Sequence, residues 1–157
     1  MTQAQQSNAF RFVSDTLDHL IKQGTCSYGE YTYTDHDGEP DTTEGCLYRG
    51  PNGTKCAVGF HIEDSEYLYD MEDKNAADAF AMVPGARLRL AAKYDLDATT
   101  LEEIACVLQT VHDSTAHSVS SEYHTRLLDA FLAMSHGSLG LTPEEKLTLA
   151  NRIPATV

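Results

Sequence analysis

Apolar residues first recur at helical spacing between Asn8 and Gln23, where Phe10, Val13, Leu17, Leu20 and Ile21 alternate with Arg11, Asp15, Asp18 and Lys22. A stripe spaced by three and four residues predicts an amphipathic helix, and Gly24 supplies its stop. From Thr25 the period is lost. The stretch TCSYGEYTYTDHDGEPDTTEG is rich in Gly, Asp, Thr and Tyr and almost devoid of aliphatics. Tyr28, Tyr31 and Tyr33 suggest a short strand or an aromatic-lined loop, and HDGEPD is turn chemistry. Residues 25–45 as a whole are expected to form a mobile loop that closes over a site. Next, CLYR and TKCA flank GPNG, where Asn-Gly after proline signals a tight turn. A hairpin across Gly50 to Gly53 would pair Arg49 with Thr54 and Leu47 with Cys56. The following AVGFHIEDSEYLYD fits either a strand extension or a short helix.

The rest of the chain reads as helix. Asp73 or Asn75 can cap a segment through Ala76–Val83 that Pro84 stops, and 86–94 forms another short helix. Thr99 and Thr100, with Glu102 and Glu103, offer capping boxes ahead of Leu101, Ile104, Ala105, Leu108, Val111 and His112. Ser120 or Ser121 caps a helix bearing Leu127, Leu128, Phe131, Leu132 and Met134, closed by Gly137. Thr142–Pro143 with Glu145 opens the last helix, through about Asn151. The expectation is a single α+β domain over 1–157, mostly helical, with five or six helices and one small β-hairpin.

Composition changes this picture in two ways. A length of 157 residues with 41% hydrophobic content suits one domain with its own core. The balance of 24 acidic against 11 basic residues, a formal charge of −13, repels phosphate backbones and anionic lipid, which argues against direct nucleic-acid or membrane binding. It is compatible with docking onto a basic protein surface. MTQAQQSNAF lacks a signal-peptide pattern and no apolar run approaches the roughly 20 residues that span a bilayer, so a cytoplasmic protein is expected. Cys26, Cys46, Cys56 and Cys106 are then reduced thiols, and their spacing contains no CxxC pair.

Several residues could carry chemistry. Cys46 and Cys56 on facing strands, with His61 or His112, would make a metal set, but the spacing is not a zinc signature and free cysteines are commonly small buried hydrophobes. No metal and no cofactor are expected. Cys46 or Cys56 with His112 and Asp113 also has the residue types of a Cys–His–Asp arrangement. Arg49 and Lys55 flank one turn in an acidic neighbourhood; they either neutralise carboxylates such as Glu63 and Asp64 or bind an anion. Six of the eight tyrosines, Tyr48 and Tyr67 among them, lie between Tyr28 and Tyr69, and phenol rings can stack on bases. His112 falls four residues after Leu108 and seven after Ala105, so it points inward, beside Asp113 and one turn from Gln109.

The residues Cys46, Tyr48, Arg49, Lys55, Cys56, Ala57, Gly59, Ile62, Asp64 and Tyr67, then Leu108, Gln109, His112 and Asp113, spell C-x-Y-R, K-C-A-x-G-x-x-I-x-D-x-x-Y and L-Q-x-x-H-D. This pattern resembles a family of small proteins encoded by tailed phages and prophages. The resemblance covers about a third of the chain and leaves the Tyr/Asp-rich stretch before Cys46 outside it. It implies that the two blocks belong to one site, and it implies no reaction. His61 departs from it, standing where an aliphatic residue is more usual. By analogy of setting, phage accessory proteins of this size counter host defences. The first functional expectation is therefore a binding protein in the host cytoplasm. Tyr48, Arg49, Lys55, Asp64, Tyr67, Gln109, His112 and Asp113 would enclose a small anionic, nucleotide-derived signal, a site that a homo-oligomer could place between its subunits. The second is a hydrolase or transferase using Cys56 or Cys46 with His112 and Asp113. The third is an acidic inhibitor docked on a host effector protein.

Overall fold

The computed structural model describes residues 7–154. Helix α1 (Asn8–Gln23) leads into an antiparallel hairpin of β1 (Tyr28–Thr34) and β2 (Pro40–Cys46). After an irregular stretch come α2 (Ala76–Met82), α3 (Pro84–Tyr94), α4 (Ala98–Asp113), α5 (Tyr123–Ala133) and α6 (Pro143–Ala150). The described residues thus form a mostly helical α+β fold with one two-stranded sheet.

Helix α4 is the axis. Leu101, Ile104, Ala105, Leu108, Val111 and His112 are its buried positions, and α1, α2, α3 and α5 pack against it. Helix α1 begins and ends where its stripe predicts, with Gly24 left-handed at φ 68° and its N–H closing on the Leu20 carbonyl. The α6 capping box forms as expected, Thr142 and Glu145 exchanging side-chain bonds with each other's backbone. Three boundaries differ from expectation. Asp97, not Thr99 or Thr100, caps α4 by accepting from the Thr100 N–H. Pro84 opens α3 as well as ending α2, because proline fits a first turn that needs no amide hydrogen. Helix α5 starts at Tyr123 with no side-chain cap, and its Leu132 is exposed.

The hairpin lies in a different place from the one the turn chemistry suggests. Residues 25–45, expected to be a loop, supply the two strands, with Tyr28 opposite Cys46 and Thr34 opposite Pro40. Asp35 Oδ1 closes the turn by accepting the N–H groups of Asp37 and Glu39, both at 2.9 Å, around Gly38 at φ 83°. GPNG is a real turn, a single 3₁₀ turn with the Gly50 N–H donating to Thr54 O at 2.8 Å, but its flanks do not pair as strands. Leu47 bonds instead to Ser27, its N–H donating to the Ser27 carbonyl at 2.8 Å, which extends the β1–β2 ladder by one step. Cys56, Ala57, Val58 and Ile62 reach the core through successive turns. Burying four apolar positions in seven residues requires that compact path, since a strand would turn alternate side chains outward.

Candidate functional site

The ladder register creates the site. With Tyr28 opposite Cys46 and Ser27 opposite Leu47, Cys26 and Cys46 are diagonal neighbours on one face of the hairpin base. Their sulfurs are 3.8 Å apart, with no disulfide. The fully buried ring of His112, at the end of α4, rises against the same face: its Nε2 is 3.5 Å from Cys26 Sγ and accepts the Ser27 N–H at 3.1 Å. On the other side of the ring Nδ1 meets Asp113 Oδ1 at 3.0 Å, and Gln109 Nε2 donates to the same oxygen at 2.7 Å. The Ser27 N–H requires a lone pair on Nε2, so the neutral ring carries its proton on Nδ1, donated to Asp113.

Electrostatics separates the two thiols. The Cys46 S–H beside it, and then the His112 ring, hold Cys26 well below the ordinary thiol range, to about 5, against the effect of burial. Cys46 moves the opposite way: donating to Cys26, burial and the nearby Asp113 carboxylate all push it up. For His112, burial is the largest influence and opposes charge, but Asp113 and Cys26 together outweigh it and raise the ring to about 9. A proton arriving on Nε2 displaces the Ser27 N–H and aims the new N–H at the Cys26 sulfur.

Each thiol faces its own hollow. Cys26 borders one of about 280 Å³ with Tyr28, Asn52, Thr54 and His117. Cys46 borders another of about 230 Å³ with Tyr48, Lys74, Gln109 and Asp113. The two sulfurs touch between them.

The remaining expected residues divide sharply. Tyr48 is buried at the wall of the second hollow, its hydroxyl donating to Lys74 O at 2.9 Å. Gln109, besides its bond to Asp113, accepts the Val58 N–H at 3.3 Å and ties the turns to α4. Arg49 and Lys55 are elsewhere and engaged. The Arg49 guanidinium donates to the carbonyls of Tyr48, Gly59 and Ile62 and to Asp64, and lies 5.0 Å over the Tyr67 ring. Lys55 Nζ is 3.4 Å from the same Asp64 oxygen, and these two cations hold the Asp64 carboxyl below its usual range, Lys55 foremost. Tyr67 donates to the buried Glu72 at 2.6 Å. Neither cation lines the hollow bordered by Cys46 and Asp113. Of the two roles their setting allows, the contacts of Arg49 and Lys55 are those of the structural one: Arg49 is bonded to three backbone carbonyls and to Asp64, and Lys55 to Asp64.

Cys56, expected as a nucleophile, is wholly buried, its sulfur accepting the Gly59 N–H at 3.2 Å, and burial pushes its thiol up to about 12. The thiol beside His112 is Cys26. Sequence reasoning gave Cys26 no role because it placed the hairpin at GPNG. The usable signal was two Thr-bearing runs flanking DHDGE, which imply a register that pairs residue 28 with residue 46 and so sets residue 26 diagonally beside it. His61 is a core histidine, packed 4.6 Å from the Phe12 ring and bonded to Thr16 Oγ1 at 2.7 Å.

Two groups of metal-type donors occur among the described residues. Cys26, Cys46 and His112 lie within 4.8 Å of one another, and Asp35, His36 and Asp37 cluster at the exposed hairpin turn. The first supplies three donors where a closed structural zinc site takes four, and Asp113 is already bonded to Nδ1. The second belongs to the turn, whose backbone Asp35 caps. No described helix is long and apolar enough to cross a membrane. No protein-family model, curated protein or solved structure matches the chain.

Proposed function

We propose that the protein is a thiol-dependent hydrolase or transferase acting on a small ester or amide, with Cys26 as nucleophile, His112 as general base and acid, and Asp113 as the group that orients the ring. The observation that carries this reading is the relay itself: a sulfur 3.5 Å from the Nε2 that can take its proton, on a ring whose Nδ1–H is held by a carboxylate at 3.0 Å. The Cys26 thiolate, already favoured by the Cys46 S–H, attacks a carbonyl carbon presented from the hollow beside Tyr28 and His117. His112 then gives its Nε2 proton to the leaving group. Proton uptake on Nε2 frees the Ser27 N–H, one residue from the nucleophile, to meet the developing oxyanion.

Iodoacetamide at neutral pH tests this. One thiol per chain, mapped to Cys26, is expected to label at least about tenfold faster than the other three. Cys26→Ser abolishes the fast phase and His112→Asn slows it. Equally sluggish labelling of all four thiols in folded protein would sink the proposal. Sequestration of a nucleotide-derived anion, the first expectation from sequence, leaned on Arg49 and Lys55, both of which Asp64 engages. Docking to a basic partner keeps one supporting observation. Glu30, Asp37, Glu39, Asp41 and Glu44 are exposed along the hairpin, and binding through them would fall steeply with salt.

A further inference from the structure

We propose that Cys26 and Cys46 form a peroxide-reactive dithiol, in which Cys26 takes an oxygen atom from a hydroperoxide and Cys46 resolves the product to a Cys26–Cys46 disulfide. The inference rests on Cys26 being the nucleophile of the preceding section and adds a substrate class and a second working thiol.

Four features of the geometry point to it. The sulfurs are 3.8 Å apart on one face of the ladder, so a shift of about 2 Å reaches the S–S bond length of about 2.05 Å without changing register. Position assigns the roles, because Cys26 is the thiol with the His112 Nε2 at 3.5 Å to take its proton, and Cys46 is the sulfur beside it. The hollows also separate the reactants. A hydroperoxide entering beside Thr54 and His117 reaches Cys26 through a hollow that Cys46 does not border. Displacement at sulfur runs in line, so the departing oxygen needs a space separate from Cys46, and this hollow is one. Finally, the other two thiols lie outside the group that Cys26 and Cys46 form with His112: Cys56 is sealed in the core, and Cys106, on α4, borders the Cys46 hollow.

The chemistry balances in two steps. The Cys26 thiolate attacks the nearer oxygen of ROOH; an S–O bond forms, the O–O bond breaks, sulfur is oxidised by two electrons, and the peroxide leaves as alkoxide or hydroxide that takes up a proton. The Cys46 sulfur then attacks the Cys26 sulfenic acid. An S–S bond forms, the S–O bond breaks, and the departing hydroxide takes the Cys46 proton and leaves as water. A thiol reductant returns the pair to the dithiol.

The test treats the reduced full-length chain with one equivalent of hydrogen peroxide, and separately of tert-butyl hydroperoxide, then counts free thiols and maps peptides without reduction. Loss of two of the four thiols, a mass lower by two hydrogens, and a Cys26–Cys46 cross-linked peptide are expected. In Cys46→Ser the cross-link is replaced by a Cys26 sulfenic acid that dimedone traps, and Cys26→Ser does neither. Cys46→Ala replaces Cys46→Ser if the latter fails to fold, and the wild-type cross-link stands as a readout without either variant. Retention of all four thiols, a disulfide joining another pair, or one equivalent of tightly held zinc on the untagged protein overturns the proposal. Fast iodoacetamide labelling of Cys26 with no cross-link removes this inference alone. Sluggish labelling of Cys26 removes both it and the nucleophile reading beneath it.

Discussion

Replacing His61 with leucine should flatten the acid limb of the stability profile by an amount that can be worked out beforehand. The ring is buried among Phe12, Phe60 and Tyr94. The Thr16 hydroxyl donates to Phe12 O at 2.8 Å, so its oxygen is left to accept, and the His61 Nε2–H donates to it. Burial, and then the positive charges of Lys93, His19 and Arg89, lower the folded pKa from 6.5 to about 3. Below pH 6.5 the unfolded chain binds a proton that the folded chain refuses. Stability therefore falls as pH falls, by about 1.4 kcal/mol per unit, until the folded ring titrates. Between pH 7 and pH 4.5 this one group removes roughly 2.5 kcal/mol. Urea unfolding of wild type and His61→Leu at both pH values isolates that share from the carboxylates, which both proteins keep. Wild type should lose about 2.5 kcal/mol more than His61→Leu between the two pH values; parallel profiles would refute a neutral, buried imidazole.

Other substitutions test the frame and the site. Arg49→Met removes a guanidinium bonded to the Gly59 and Ile62 carbonyls at 2.5 and 2.6 Å and should cost about 3 kcal/mol in urea unfolding; unchanged stability would return Arg49 to the list of ligand residues. Gly59→Ala drives a methyl group into the Tyr48 backbone carbonyl, and a loss of more than about 3 kcal/mol is expected by thermal melting; a stable variant would show that the 57–62 turns can shift away from Tyr48. The iodoacetamide rate at Cys26 should change less than about twofold between low and high salt, because its control is by contact; a steep salt dependence would assign it to the charge of the whole molecule.

Helical stripes were readable because their apolar spacing and their burial follow one rule: α1, the core face of α4 with His112 turned inward, and the α6 capping box all come out as patterned. The hairpin was not. GPNG carries the stronger local turn signal, yet a turn does not choose its strands, and the tertiary fold pairs Leu47 with Ser27. The half-buried Tyr face and exposed Thr/Glu face of β1 alternate weakly, since the sheet has only two strands and packs little of its surface. The site inherited the same error. His112, Asp113, Gln109 and Cys46 do lie together, but the thiol beside the ring was sought in Cys46 or Cys56, ten residues apart on a hairpin that does not exist, and Cys26, across one that does, went unnamed.

Net charge is equally poor at locating this site. At 20 Å a unit charge acts on a thiol with about 0.2 kcal/mol in water, and physiological salt cuts that to roughly a tenth. Even the whole excess of −13 then weighs less than one S–H bond made in a half-buried pocket. Asp113 is the exception because it is adjacent, and its oxygen is already committed to His112 and Gln109. What sets the reactivity of Cys26 is therefore which groups touch it, and the hairpin register decides that. A slip of one residue between β1 and β2 would turn Cys46 to the opposite face and take Tyr48 with it. Cys26 would lose its hydrogen-bond donor while the overall charge stayed the same.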